Sequence, residues 1–243
     1  MLEKNQLPNS FTQFLPKKTK YIDLHIHTTA SDGLIKTDFL IKFLQDTPHL
    51  ISITDHNAIE GNLELYFTPN INIIPGIEVG CKDGFELLIY FKDASDLQKF
   101  YRTNVKPFKN KYKITRTKQS YSYYLKQIQK YDAFVSLPHP AGLAQKNYLK
   151  NKSYIKQVIN KIDAIETYNH ALPQKRNLTA YEIRKKKEKF ATFGSDAHIK
   201  KEILSFYRYQ NNNFSKLSRI KKHLYNCCSA VALFGKHLHY LLN

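Results

Sequence analysis

The chain has 243 residues, 42% of them hydrophobic, with 17 Tyr and 15 Phe, which suits one sizeable α/β domain with a real core. No stretch approaches the roughly 18 uninterrupted apolar residues of a membrane span, the N-terminus lacks the apolar run of a secretory signal, and three cysteines exclude a disulfide framework. A soluble protein of a reducing cytoplasm, without membrane contact, is therefore expected, and its formal net charge of +18 favours polyanionic partners such as nucleotides or nucleic acid.

In chain order, Tyr21–His27 alternates as a strand, and Thr37–Gln45 reads as a helix opening on a capping-type Thr. Leu50–Thr54 reads as a buried strand, Ile71–Val79 contains another, and Phe85–Phe91 a further one, followed by a helix over Ser95–Thr103. From Asn104 to Tyr131 there are eight Lys/Arg and no acid, with Tyr112, Tyr121, Tyr123 and Tyr124 interleaved. That mixture suits phosphate contact and base stacking, and Lys106–Lys118 reads as a flexible loop. Then come a helix at Tyr121–Lys130, strand Ala133–Leu137, helix Ser153–Asn160, strand Ala164–Tyr168, helix Asn177–Lys187 and strand Phe190–Gly194, with two helices closing the chain. Strand–helix alternation over about seven strands predicts a mainly parallel α/β barrel. Residues 1–19 read as an N-terminal extension and 20–243 as one domain, with a basic insertion near 104–120 and a helical tail.

The chemistry-bearing residues fall at predicted strand ends, where parallel α/β folds carry their sites. In DLHIHTTASDG, His25 and His27 share one strand face, Asp32 follows in a turn, and Asp23 is placed to orient a ligand. Asp55 and His56 follow the next strand, Glu78 interrupts an apolar one, His139 sits between two prolines, and Asp196 and His198 follow the last. Singly, each has an ordinary alternative in a turn or core; five such clusters on five strand ends of one chain point to a shared site. Imidazole with carboxylate favours Zn, Mn or Fe, with Mg also admissible.

The ordered set DLHIHTTASDG, TDHN, PGIEV, LPHP, IETYN and GSDAH resembles the PHP (polymerase and histidinol phosphatase) superfamily from about Tyr21 to Ile199. The resemblance implies a distorted (β/α)7 TIM-like barrel holding two or three divalent metal ions at its mouth, and hydrolysis of phosphate esters. It places His25, His27, Asp32, His56, Glu78, His139, Asp196 and His198 at ligand positions, with Glu78 bridging two metals and Asp32, His56 and His198 serving the reaction as ligands of the cluster. Glu86 stands where many members carry a His ligand, and is expected to replace it. Water held between two metals would attack phosphorus in line, Asp23 and Asp55 would orient imidazoles, and Asn169 and Arg176, which follow strand Ala164–Tyr168, are candidates for substrate contact. The basic Lys/Tyr segment favours a nucleotide or oligonucleotide substrate. Histidinol phosphate is the rival small substrate, and a non-catalytic nucleic-acid-binding protein with a relic metal site is the rival of another class.

Overall fold

The structure, a computed structural model, describes residues 19–143, 148–151 and 153–242; most of the expected N-terminal extension lies outside them. Strand β1 (Tyr21–Ile26) is buried along its whole length and runs parallel to β2 (His49–Ile53), with Ile22 opposite Leu50. A two-residue β3 (Asn72–Ile73) extends this sheet in parallel. The second sheet takes β4 (Gly76–Gly80), β5 (Glu86–Phe91), β6 (Ala133–Leu137), β7 (Ala164–Asn169) and β8 (Phe190–Gly194) in that order. The helices are α1 (Thr37–Leu44), α2 (Glu60–Tyr66), α3 (Ala94–Phe100), α4 (Tyr121–Gln127), α5 (Tyr148–Asn151), α6 (Ile155–Lys161), α7 (Gln174–Lys186), α8 (Lys200–Gln210) and α9 (Lys216–Leu242).

The expectation of mainly parallel pairing needs one correction. Strand β5 is antiparallel to both of its neighbours. The link from β4 to β5, Cys81–Phe85, is far too short for the dozen or more residues of a parallel crossover. It closes instead as a tight turn, with Gly84 at φ 87 and the Cys81 N–H donating to the Phe85 carbonyl at 2.7 Å. Because β5 is reversed, its first residue, Glu86, lies opposite Gly80, at the end of the sheet where β4 finishes.

The fold is mixed α/β in two sheets, and no continuous closed barrel forms among the described residues. The sheets meet through isolated bridges at both seams. At one, the His27 N–H donates to the Ala197 carbonyl (2.9 Å) and the Asp196 N–H to the His25 carbonyl (2.8 Å). At the other, His56 bridges Glu78, and the Asn57 N–H donates to the Glu78 carbonyl (2.9 Å). A side chain at Gly194 would strike the His25 backbone, so the bare glycine is what lets β8 approach β1.

Two apolar clusters flank the sheets. One packs Leu40 and Leu44 of α1 and Ile203 and Phe206 of α8 on β1 and β2. The other packs Leu97, Phe100, Tyr124 and Val158 on β4, β5 and β6. Helix α9, 27 residues long, buries little of itself. It ties back through Asn226 Nδ2 to the Ala171 carbonyl (2.7 Å), Lys236 Nζ to the Gly33 carbonyl (2.8 Å) and Tyr240 Oη to the Asn110 carbonyl (3.3 Å). No helix among the described residues is long and apolar enough to cross a membrane.

The basic segment is not a loose loop. Thr117 donates its N–H to Gly80 (2.7 Å), Lys118 to Phe108 (2.7 Å), and Asn57 Nδ2 reaches the Ile114 carbonyl (2.9 Å). These bonds fold the segment against the end of β4.

Candidate metal centre

The residues singled out in the sequence meet in one buried place. His25, His27, Asp32, His56, Glu78, Glu86, His139, Asp196 and His198 make up five overlapping triads, in each of which the ligand atoms lie within 4.8 Å of one another. All nine are buried, from 0% exposure at Glu78 to 6% at Asp196 and His198. Glu78 is central: its Oε2 lies 3.2 Å from His56 Nδ1, 3.3 Å from His27 Nε2 and 3.5 Å from His25 Nε2, while its Oε1 lies 3.6 Å from His139 Nε2. Asp32 Oδ1 stands 3.5 Å from His198 Nε2 and 3.7 Å from His27 Nδ1.

These spacings decide between hydrogen bonding and metal coordination. Metal–nitrogen bonds of about 2.1 Å put neighbouring ligand atoms roughly 3.0–3.5 Å apart, which is where most of these pairs fall and longer than a good hydrogen bond. Both Glu78 oxygens, both His139 ring nitrogens, and Nδ1 of His27 and His56 are buried without a hydrogen-bond partner among the described residues. Each such atom costs about 1–3 kcal/mol when unmatched, and a cation between them would satisfy several at once. The donor set therefore fits divalent ions.

Burial and the crowding of charges set the ionisation of the cluster. Burial, with His198 and His56 beside it, pushes His27 down to about 3, so it is a neutral donor at neutral pH. Burial alone would raise Glu78 and Asp32, but His56 and His25 hold the first, and His56 and His198 the second, well below the usual carboxylate range. His25 is desolvated too, yet Asp196, Glu166 and Glu78 outweigh that and raise it.

Local backbone geometry places two of these side chains. His139, between Pro138 and Pro140, has φ 31, and Asp196 has φ 55. Such left-handed values are uncommon for non-glycine residues, though Asp and His adopt them more readily than most. The residue that secures this arrangement was missed in the sequence. Glu166, in β7, accepts from His25 Nδ1 at 2.9 Å, the His139 N–H at 2.8 Å and Asn169 Nδ2 at 3.0 Å. The signal was present, because an acid inside the apolar run AIETY needs a partner as much as Glu78 does.

Asp23 and Asp55 do not orient imidazoles, contrary to expectation. Asp23 accepts from Tyr21 Oη (2.6 Å) and the Ser195 N–H (2.8 Å), joining β1 to β8. Asp55 accepts from the Thr28 N–H, Thr28 Oγ1 and Ser31 Oγ, each at 2.6 Å, and so shapes the turn that delivers Asp32. Of the residues expected at the substrate, Asn169 is buried and donates to Glu166 and to Asp196 Oδ2 (3.2 Å). Arg176 is half-buried in the first turn of α7.

A cavity of about 910 Å³ opens beside the cluster, between the basic segment and α9, lined in part by Lys82, Tyr112, Lys113, Arg116, Phe234 and His237. His237 Nε2 lies 3.3 Å from Asp32 Oδ2, so the cavity reaches the cluster.

No family model matches the chain, and no curated protein does. Among solved structures, a two-domain protein of Bacteroides vulgatus containing a predicted PHP-like metal-dependent phosphoesterase aligns with TM-score 0.50 at 18% identity, over 73% of this chain and 51% of that one. The fold is that of the PHP-like phosphoesterases. A protein of Bifidobacterium adolescentis, named as a candidate metal-dependent phosphoesterase, shares it with TM-score 0.51 at 16% identity, over 76% and 89% of the two chains. The lesion-specific endonuclease Q of Pyrococcus furiosus aligns with TM-score 0.55 at 18% identity, over 73% and 48%. Endonuclease Q bound to a 27-mer duplex with an abasic lesion at its active site gives TM-score 0.56 over the same shares. The chain thus spans about half of the two-domain protein and of endonuclease Q. The likeness read from the motifs holds at the level of the PHP fold.

Proposed function

We propose that the chain is a metal-dependent phosphoesterase of the PHP superfamily acting on a nucleotide or oligonucleotide. The observation that carries this is the convergence of nine His, Asp and Glu side chains, several with buried unpartnered atoms that a cation would satisfy. In this reading the two bridged sheets are a distorted TIM-like barrel, residues 20–243 form one domain, and the nine residues line the metal centre. Divalent ions bound there would polarise a phosphoryl oxygen and bring water to a reactive pKa near neutrality.

The chain's own residues do the rest. Glu166 holds His25 in one tautomer and ring orientation, the usual duty of a carboxylate behind a metal-bound imidazole. Asn169 positions Glu166 and Asp196 rather than touching substrate. Asp55 holds the turn that presents Asp32. Arg176 has no side-chain hydrogen bond or ion pair among the described residues, whereas Arg116 lines the cavity and pairs with Glu86 at 2.6 Å, so Arg116 is the better candidate for the substrate phosphate.

The cavity favours a nucleotide or oligonucleotide over histidinol phosphate. It offers Tyr112 and Phe234 as faces for a base, and Lys82 and Lys113 for backbone phosphates. Endonuclease Q, which shares the fold, has been solved with duplex DNA. The test is hydrolysis of phosphomonoesters, nucleotides and short oligonucleotides by chain loaded with Mn²⁺, Zn²⁺ or Mg²⁺. Turnover of a nucleotide or oligonucleotide is expected, lost by about a hundredfold or more in His25→Ala. A metal-loaded chain inert toward all of these substrates would sink the reading.

A further inference from the structure

The Glu86 carboxylate is already matched by a fixed positive charge. Its Oε1 accepts from Arg116 Nη1 at 2.6 Å, and its Oε2 from Tyr148 Oη at 2.9 Å. Glu86 and Tyr148 are buried, and the Arg116 side chain is 21% exposed. Distance alone would still admit a cation here: Glu86 forms a triad with His56 and Glu78, and its Oε2 lies 3.5 Å from His139 Nε2. Charge decides against it. Arginine stays protonated in proteins, and a divalent ion bound to Glu86 would face a guanidinium on the same carboxylate, across a poorly screened interior. Asp32, Glu78, Asp196 and the Glu166 behind His25 carry four negative charges that two divalent ions balance; a third ion would leave an uncompensated positive excess beside Arg116.

We propose that the Arg116 guanidinium, paired with Glu86, stands in for a third cation, so that the centre holds two divalent ions and Arg116 supplies the remaining positive charge to the substrate phosphate. The rest of its donor fork is suited to that task. Nη1 is engaged by Glu86 and by the Thr115 carbonyl at 2.8 Å, while its other nitrogens have no hydrogen-bond partner among the described residues. A planar fork presents paired N–H groups to two phosphate oxygens, which a spherical ion does not. The hairpin and the ordered basic segment both serve this placement. The reversed β5 brings Glu86 to the site, and the Thr117 N–H on the Gly80 carbonyl seats Arg116 above it.

The inference rests on the metal-centre reading, and the experiment separates the two. Full-length chain is stripped with chelator, reloaded with excess Mn²⁺, desalted, and its metal counted by elemental analysis and native mass spectrometry. Two Mn²⁺ per wild-type chain are expected, and three in the double variant Glu86→His/Arg116→Ala. Three ions in the wild type, or two in a folded double variant, would overturn the stand-in role. A wild type that retains no Mn²⁺ would remove the metal centre itself, a separate failure. Should the double variant not fold, Arg116→Ala alone is read by titrating the Mn²⁺-loaded chain with inorganic phosphate. Binding weakened about tenfold or more supports the proposal, and unchanged binding refutes it.

Discussion

Glu166→Gln isolates the charge that organises the cluster while keeping its shape. In the wild type one carboxylate accepts three hydrogen bonds, from His25 Nδ1, the His139 N–H and Asn169 Nδ2. A glutamine amide offers one oxygen and one NH₂ group, so a donor that now meets an oxygen must meet another donor. If the amide keeps the His139 bond, His25 loses its acceptor and its ring is no longer held with Nε2 toward Glu78. Losing a hydrogen bond to a charged group costs roughly 1.5–3 kcal/mol. Removing the partner behind a metal-bound imidazole typically weakens metal affinity about 10–100-fold, or roughly 1.4–2.7 kcal/mol, so the two estimates coincide. The assay is competition for Zn²⁺ against a chromophoric chelator, with circular dichroism to establish that the variant is folded. A folded Glu166→Gln chain with affinity within about threefold of the wild type would refute the role given to this carboxylate.

Removing metal should lower stability, since six buried nitrogen and oxygen atoms of the cluster otherwise lack partners. At a free concentration about a hundredfold above Kd, each ion contributes about 2.7 kcal/mol; for a protein of this size that is about 5–10 °C in Tm per ion, and scanning calorimetry with and without EDTA should show it, no shift being the adverse result. Lys222, in α9, has its pKa lowered to about 8 by burial, against about 10.5 when unfolded. Between those values the unfolded chain holds a proton that the native chain has released, so wild-type stability rises with pH across that window. Lys222→Met should therefore be more stable than the wild type at pH 7 by about 1–3 kcal/mol, less the lost bond to the Leu172 carbonyl. Its advantage should fade from pH 8 to 10.5, and denaturant melts showing a pH-independent difference would contradict this.

The cluster was legible in the sequence because its members violate local rules: an imidazole pair on a strand, a carboxylate in an apolar run, a histidine between prolines. What was not legible depends on pairing. The short Cys81–Phe85 link reverses β5 against β4 locally, but that β5 also lies beside β6, antiparallel to it, is a long-range fact. Arg116 looked like one cation among eight in a basic segment; only the fold of that segment onto Gly80 brings it to Glu86. Asp23 and Asp55 were expected behind imidazoles, but their partners are backbone N–H groups and hydroxyls, which spacing does not reveal. Glu166 was overlooked although the argument applied to Glu78 holds for it unchanged.

The cluster sits where regular strand pairing stops, and this explains how so many His, Asp and Glu side chains reach one point. Both seams between the sheets are single bridges, and the bridging segments carry members of the cluster: His56 against Glu78 at one, Ile26 against Ala197, flanked by His25, His27, Asp196 and His198, at the other. A continuous ladder would turn alternate side chains away from the site. Breaking it frees the chain to enter left-handed conformations at Asn57, His139 and Asp196, each costing about 1 kcal/mol or more. Each of these residues is held by a bond from its own N–H: Asn57 to the Glu78 carbonyl, His139 to the Glu166 carboxylate, Asp196 to the His25 carbonyl. Every one of those acceptors belongs to a member of the cluster or to Glu166 beside it. The strain and the cluster therefore support each other, so loosening Glu166 should disturb both His25 and His139.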